Sequence, residues 1–409
     1  MILKDTLQDI LTAAEFPRAP APLVSRRLPI PPFSDQALVL KGVRRSGKST
    51  LQRQLMEQRG RALYCNFEDT RLYGLTPEDF PALLAAMDES KPGSPTVYLD
   101  EVQEVPGWER LVRALLDRGW HVCVTGSNAS LLASDVGSRL TGRHLSMEVF
   151  PFDYAEYLAF TGQSRGAASL QAYLDDGGFP SWLRDRNAQT LRELLRDIIQ
   201  RDIATRQGLR ETRHLMNLCL FLLAHTGQPF SMQTLTKSLA IPAVSQTSRY
   251  LEALQDAYLI LPLPKFSASF KKRIAAPPKY YAIDNGLRRA NAPQTTSDLG
   301  RRLENLVYLA LRSQDAGAEN LHYAGERDAW ECDFVTPDAA IQVCAALTTE
   351  NMQRELRGLD AVARFSGNRS KSETTTQRRL LVLTIDQKDT LLSAEQNPVE
   401  VLPAWEWLA

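Results

Sequence analysis

Residues Gly42-Val-Arg-Arg-Ser-Gly47-Lys48-Ser49 fit the pattern G-x-x-x-x-G-K-[ST]. The glycines let backbone N–H groups curl around phosphate oxygens, and a helix N-terminus adds its positive dipole end. The apolar run Ala37–Leu40 precedes the motif, and a helical pattern from Ser49 to Glu57 follows it. Lys48 is expected to reach the β- and γ-phosphates of a nucleotide, and Ser49 to ligate Mg²⁺. Arg45, Ser46, Gly47 and Thr50 complete the set of loop residues expected around the phosphates. A second chemical string is Asp100-Glu101, at the end of the apolar run Thr96–Leu99. A carboxylate there can hold Mg²⁺ through water, so Asp100 joins Ser49 as a metal residue, and Glu101 can polarise an attacking water. A third run, His121–Val124, ends in Thr125-Gly-Ser127-Asn128. Asn128 or Ser127 could orient that water or sense the γ-phosphate. Beyond it lie Arg139 and Arg143, and an arginine here could act as a finger on a neighbouring subunit's nucleotide.

These groups need a scaffold. The runs ALVLKG, ALYCNF, TVYLDE and HVCVTGS alternate with helix-length stretches over 37–150. That alternation predicts an α/β fold with a parallel sheet and helices on both faces. Residues 1–36 read as a lead-in segment, one short amphipathic helix and then a Pro-rich stretch. Residues 151–208 read as a helical lid or linker broken by the turn DDGGFP.

Composition narrows the field. The formal net charge over 409 residues is zero, so any nucleic-acid surface must be local. The five cysteines (Cys65, Cys123, Cys219, Cys332, Cys344) form no C-x-x-C pair, which fits reduced thiols in a cytoplasmic setting. The opening MILKDTLQDILTAAEF lacks the layout of a signal peptide. No apolar run approaches the roughly 18–20 residues of a membrane helix, so no membrane partner is expected. No guanine-reading N-K-x-D string is present.

Two further modules are legible. Over 209–285, a helix with Ser231 as N-cap, a turn at Ile241-Pro242 and a second helix, Val244 to Tyr258, precede a basic stretch with Lys265, Lys271, Lys272 and Arg273. Helix–turn–helix plus a basic hairpin is the layout of a winged helix, with Ser245, Gln246, Ser248 and Arg249 on the outer face and double-stranded DNA as candidate partner. A rigid spacer or protein contact is the competing reading. Over 286–409, a helix-borne Glu304, a strand Asp333 and a following strand resemble the layout of PD-(D/E)XK nucleases. Gln342 stands where the second carboxylate belongs and Cys344 where the lysine belongs. A neutral amide is a poor ligand for a hard cation and a thiol carries no positive charge. The expectation is a nuclease-like α/β domain that has lost cleavage, with Glu331 on the same strand face as Asp333.

The strings GVRRSGKST, YLDEVQ, TGSN, SRLTGR and FPFDYAEYL together resemble a group of prokaryotic AAA+-type ATPases with a C-terminal domain of uncharacterised function. DDGGFP and DIIQRDI are similar to linker segments of that group, so the likeness spans nearly the whole chain. The resemblance implies ATP as nucleotide, Mg²⁺ dependence, and a homo-oligomer or a switch regulated by a protein partner. The resulting expectation is an ATP-hydrolysing switch that couples nucleotide state to the winged helix and the degenerate nuclease-like domain. An ATP-regulated DNA nuclease and a non-hydrolysing ATP-dependent scaffold stay open beside it.

Overall fold

A computed structural model describes residues 4–12, 24–32, 35–60, 62–90, 95–127, 140, 142–267, 269–292, 298–314, 319–326, 329–367 and 378–408. The chain divides into two compact units, Met1–Phe150 with Asp256–Tyr258, and Pro151–Gln255 with Leu259–Ala409.

The first unit contains α1 (Lys4–Thr12), β1 (Ala37–Lys41), α2 (Lys48–Arg59), β2 (Leu63–Asn66), α3 (Phe80–Glu89), β3 (Thr96–Asp100), α4 (Trp108–Asp117), β4 (His121–Gly126) and β5 (His144–Glu148). The five strands are all parallel, in the spatial order β2-β3-β4-β1-β5. Alternate residues of each strand enter opposite apolar layers, as the period of two requires. Ala37, Val39, Val97, Leu99, Val122 and Val124 face a layer built with α3 and α4. Leu38, Leu40, Tyr98 and Cys123 face Leu51 and Leu55 of α2. Strands covered on both faces explain why the sequence shows continuous apolar runs here rather than alternation. The opening helix is more than a lead-in: α1 buries Leu7, Ile10 and Leu11 in the α3–α4 layer.

The second unit begins with α5 (Tyr154–Thr161), whose N-cap Asp153 and Glu156 form a reciprocal capping box. It continues with α6 (Ala167–Asp176), α7 (Pro180–Asp185) and α8 (Ala188–Asp197), which runs into a π-helical stretch, Ile198–Thr205. Then come α9 (Arg213–Ala224), β6 (Gln228–Pro229), α10 (Met232–Ser238), α11 (Val244–Asp256), β7 (Ile260–Leu263), α12 (Phe270–Ala275) and β8 (Lys279–Ala282). The short strands make an antiparallel sheet in the order β6-β8-β7. Ser231 caps α10 by accepting from the Thr234 amide. The last elements are α13 (Asn285–Asn291), α14 (Leu299–Gln314), β9 (His322–Glu326), β10 (Trp330–Val335), β11 (Ala339–Val343), α15 (Met352–Gly367), β12 (Arg379–Thr384), β13 (Asp389–Leu392), β14 (Pro398–Pro403) and α16 (Ala404–Trp407). Their six-stranded mixed sheet runs β13-β14-β12-β11-β10-β9.

The turn DDGGFP is half of a clasp. Asp284, the N-cap of α13, accepts from the Gly178 amide at 2.6 Å and from the Leu287 amide at 2.7 Å. Gly178 also accepts from the Phe152 amide at 2.8 Å. Burial raises the Asp284 carboxyl to about 6, while the backbone donors oppose the rise. A methyl carbon added at Gly286 would lie 1.9 Å from the Asp176 carbonyl oxygen. Gly286→Ala should therefore destabilise the protein by about 1–3 kcal/mol, the range for overpacking a tight contact. Thermal unfolding checks this, and a melting point equal to wild type would refute the clasp.

Candidate nucleotide site and a second ionic centre

The loop after β1 is shaped by two close approaches. An added Cβ at Gly42 would sit 2.2 Å from the Val149 carbonyl oxygen, so only glycine fits there. Arg45 (φ 63°) and Gly47 (φ 99°) take the left-handed conformation that curls the loop. Helix α2 then opens, with the Leu51 amide donating to the Gly47 carbonyl at 2.9 Å. Lys48 is 4% exposed, and its Nζ donates to the carbonyls of Gly42 at 3.1 Å and Val43 at 3.0 Å. The loop thus holds the ammonium against its own backbone. Ser46 is buried, and its Oγ finds no hydrogen-bond partner among the described residues. Ser49 and Thr50 are half-buried on the first turn of α2.

Arg26 was not legible as a site residue. Its Nη1 donates to the Ser46 carbonyl at 2.8 Å and its Nη2 to the Phe150 carbonyl at 2.7 Å. Gln54 of α2 secures the same segment by donating to the Val24 carbonyl at 2.6 Å.

Strand β3 delivers Asp100, 2% exposed, to the same end of the sheet. Three hydroxyls from three elements point at its carboxylate. Tyr64 of β2 donates to Oδ2 at 2.8 Å, Thr125 of β4 donates to Oδ1, and Ser49 of α2 supplies the third hydrogen bond. Burial, and then the Glu101 charge, raise the Asp100 carboxyl above its ordinary range, and the hydroxyls oppose the rise. Burial and the Asp100 carboxylate push the Tyr64 phenol well up. Glu101 lies in the left-handed region (φ 52°), and its amide donates to Thr125 Oγ1 at 2.9 Å. Gln103 donates from Nε2 to Glu101 Oε2, and Ser127 Oγ lies 3.4 Å from the same nitrogen.

Lys48, Ser49, Asp100, Glu101 and Ser127 therefore lie together at one end of the parallel sheet. Asn128 and Arg139 lie outside the described residues. Arg143 does not join the cluster. It sits just before β5, where its carbonyl accepts from the Ala37 amide at the start of β1, and its guanidinium pairs with Asp117 at 2.5 Å. That is the sheet edge opposite the phosphate loop.

The last module brings Glu304 and Asp333 together around a lysine that sequence reading placed elsewhere. Lys279 of β8 is 1% exposed. Its Nζ lies 3.0 Å from Glu304 Oε1, 2.6 Å from Glu331 Oε1 and 3.1 Å from Asp333 Oδ1. The Tyr281 hydroxyl donates to Glu304 at 2.7 Å, and the Val343 amide to Asp333 at 3.0 Å. Gln342 donates to the buried Glu355 at 2.7 Å, and Cys344 is buried. Among the described residues no cluster of His, Cys, Asp and Glu is arranged to hold a metal ion.

Two outcomes follow. Thr125→Val leaves the Glu101 amide without its acceptor and takes one of three donors from the buried Asp100, and should cost about 1–3 kcal/mol, whereas Thr125→Ser should stay near wild type; equal melting points for the two variants would contradict this. The Asp333 carboxyl is raised to about 7, by burial first and the Glu304 charge second, with Lys279 opposing. Its folded value exceeds the unfolded one of about 3.9, so its stabilising share is complete below that pH and is lost as pH rises through about 7. Asp333→Asn should therefore flatten the fall of stability between roughly pH 4 and 7; denaturation midpoints that keep the wild-type slope would exclude this.

Residues 34–158 match the AAA domain family AAA_14, and residues 167–298 match a domain of unknown function, DUF8612. An uncharacterized protein of Methanocaldococcus jannaschii is 30% identical over 95% of this chain and 91% of its own length. An uncharacterized protein of Haemophilus influenzae is 31% identical over 75% of this chain and 80% of its own. Among solved structures, the Walker-type ATPase PABY2304 of Pyrococcus abyssi is similar at 17% identity and a TM-score of 0.41, over 62% of this chain and 90% of that one. No described helix is long and apolar enough to cross a membrane. The chain belongs to the same family as the archaeal protein, with an AAA domain match over residues 34–158 followed by a match to a domain of unknown function.

Proposed function

We propose that the chain is a Mg²⁺-dependent, ATP-hydrolysing switch. The observation that carries this reading is the meeting of Ser49, Asp100 and Glu101 beside the Lys48 loop. Lys48 and the loop amides bind the phosphates and withdraw charge from them. Ser49 and Asp100 fit a divalent cation, because Asp100 is a buried carboxylate whose anion burial disfavours and a cation would relieve. Bound Mg²⁺ supplies charge neutralisation across the phosphate oxygens. Glu101, held at the same end of the sheet, orients and polarises the attacking water.

The order helix, strand, helix, helix, strand, helix, strand from α9 to β8, with the sheet order β6-β8-β7, supports the winged-helix reading, with the short helix α12 standing between the two strands of the wing. Ser245 and Arg249 of α11 are exposed. The stretch after β7 is tied to β9, because the Phe266 amide donates to the Tyr323 carbonyl at 2.6 Å and the Tyr323 amide to the Pro264 carbonyl at 3.1 Å. Contact with double-stranded DNA would therefore rest on α11 more than on the hairpin. The C-terminal module is read as a spent cleavage centre, with an ammonium set between its acids. Arg143 would meet a nucleotide only in a homo-oligomer, on a neighbouring subunit. Five buried free cysteines suit a cytoplasmic setting.

Phosphate release with ATP and Mg²⁺, with and without duplex DNA, tests the proposal. Lys48→Ala should lose ATP binding. Glu101→Gln should bind ATP and turn over about 100-fold more slowly or worse. Normal turnover in Glu101→Gln would remove Glu101 from the chemistry, and DNA-independent turnover would turn the search toward a protein partner.

A further inference from the structure

The residues just past Glu101 form a device that the ATPase reading does not use. Glu101 occupies the left-handed region, which costs a non-glycine residue about 1 kcal/mol or more. One 3₁₀ turn follows, Val102–Glu104, closed by the Glu104 amide on the Glu101 carbonyl at 3.1 Å. The turn folds Gln103 back onto Glu101. Its two amide hydrogens face Glu101 Oε2 and, at 3.4 Å, Ser127 Oγ. Its carbonyl oxygen Oε1 is buried and accepts no hydrogen bond among the described residues. A buried unpaired acceptor costs about 1–3 kcal/mol, so its environment favours a donor. The donor that fits beside a carboxylate poised over phosphates is water.

We infer that Gln103 is a catalytic residue of the ATPase: Nε2 fixes the Glu101 carboxylate, and Oε1 accepts the second hydrogen of the attacking water. The inference rests on the ATPase reading and adds the group that aims the nucleophile. With one hydrogen on Glu101 and the other on Gln103, a lone pair of the water is free for the γ-phosphorus. The water oxygen bonds to that phosphorus, and the bond from phosphorus to the β–γ bridging oxygen breaks with its electron pair leaving on ADP. The released proton passes to Glu101 and from there to the phosphate product.

The experiment compares wild type, Gln103→Ala and Gln103→Glu, with Lys48→Ala as the control for ATP-specific turnover. ATP affinity is read by a fluorescent ATP analogue, and kcat across pH by phosphate release. Gln103→Ala should lose at least tenfold in kcat with ATP affinity unchanged. Gln103→Glu places a second carboxylate against Glu101, so the acidic limb of its kcat–pH profile should move to higher pH. Unchanged kcat in both variants overturns the inference and leaves the ATPase reading standing. Loss of affinity and of melting temperature together with kcat assigns Gln103 a structural role and overturns it as well. A wild type without turnover above Lys48→Ala overturns both readings.

Discussion

The γ-hydroxyl of Thr125 gives its hydrogen to Asp100 and accepts one from the Glu101 amide. One buried atom at the end of β4 thus fixes both acids at the end of β3. The pairing is possible because β3 and β4 are parallel neighbours in register, Leu99 beside Val124, so that their ends finish together. A parallel sheet aligns strand ends on one edge, and that edge is where β1 releases the phosphate loop. The left-handed turn at Glu101 is held by that same hydroxyl. Without it, Asp100 would keep only the Tyr64 and Ser49 hydroxyls, and the Glu101 amide would lose the acceptor that fixes its turn.

Much of the candidate nucleotide site could be read from the sequence, because its motifs are local. Gly42 to Ser49 is contiguous, and Asp100-Glu101 ends an apolar run of strand length. The partners that tune it come from distant positions and carry no local mark. Tyr64 reads as one more apolar strand residue, and only the pairing of β2 with β3 puts its hydroxyl on Asp100. Arg26 lies in a Pro-rich stretch whose composition suggests a tether, yet it grips the loop backbone. Arg143 is the opposite case: its type suggested a role on phosphate, and strand direction alone puts it at the far edge.

The C-terminal module shows the same limit. The sequence has an acid on a helix and another on a strand, and no lysine two residues past Gln342. Distance along the chain concealed Lys279, which arrives from a different sheet, 54 residues before Asp333. The buried ammonium lies within 3.1 Å of three carboxylates, and loss of Glu304 or Asp333, the two that are largely buried, would leave it poorly paired. The short strand β8 is thereby bound to α14 and β10.

The clasp between Gly178 and Asp284 closes a loop of 106 residues. On a ribosome adding about 5–20 residues per second, that span represents roughly 5–20 seconds of synthesis. All five strands of the first sheet lie within residues 37–148, so their pairing needs no later part of the chain. The turn at Gly177 and Gly178 has no such freedom. Its carboxylate partner does not exist until α13 is made, and the acids that receive Lys279 emerge later still. The second unit is therefore committed to forming after most of its length is present, which makes the helices between 154 and 224 the stretch of nascent chain whose apolar faces wait longest for cover.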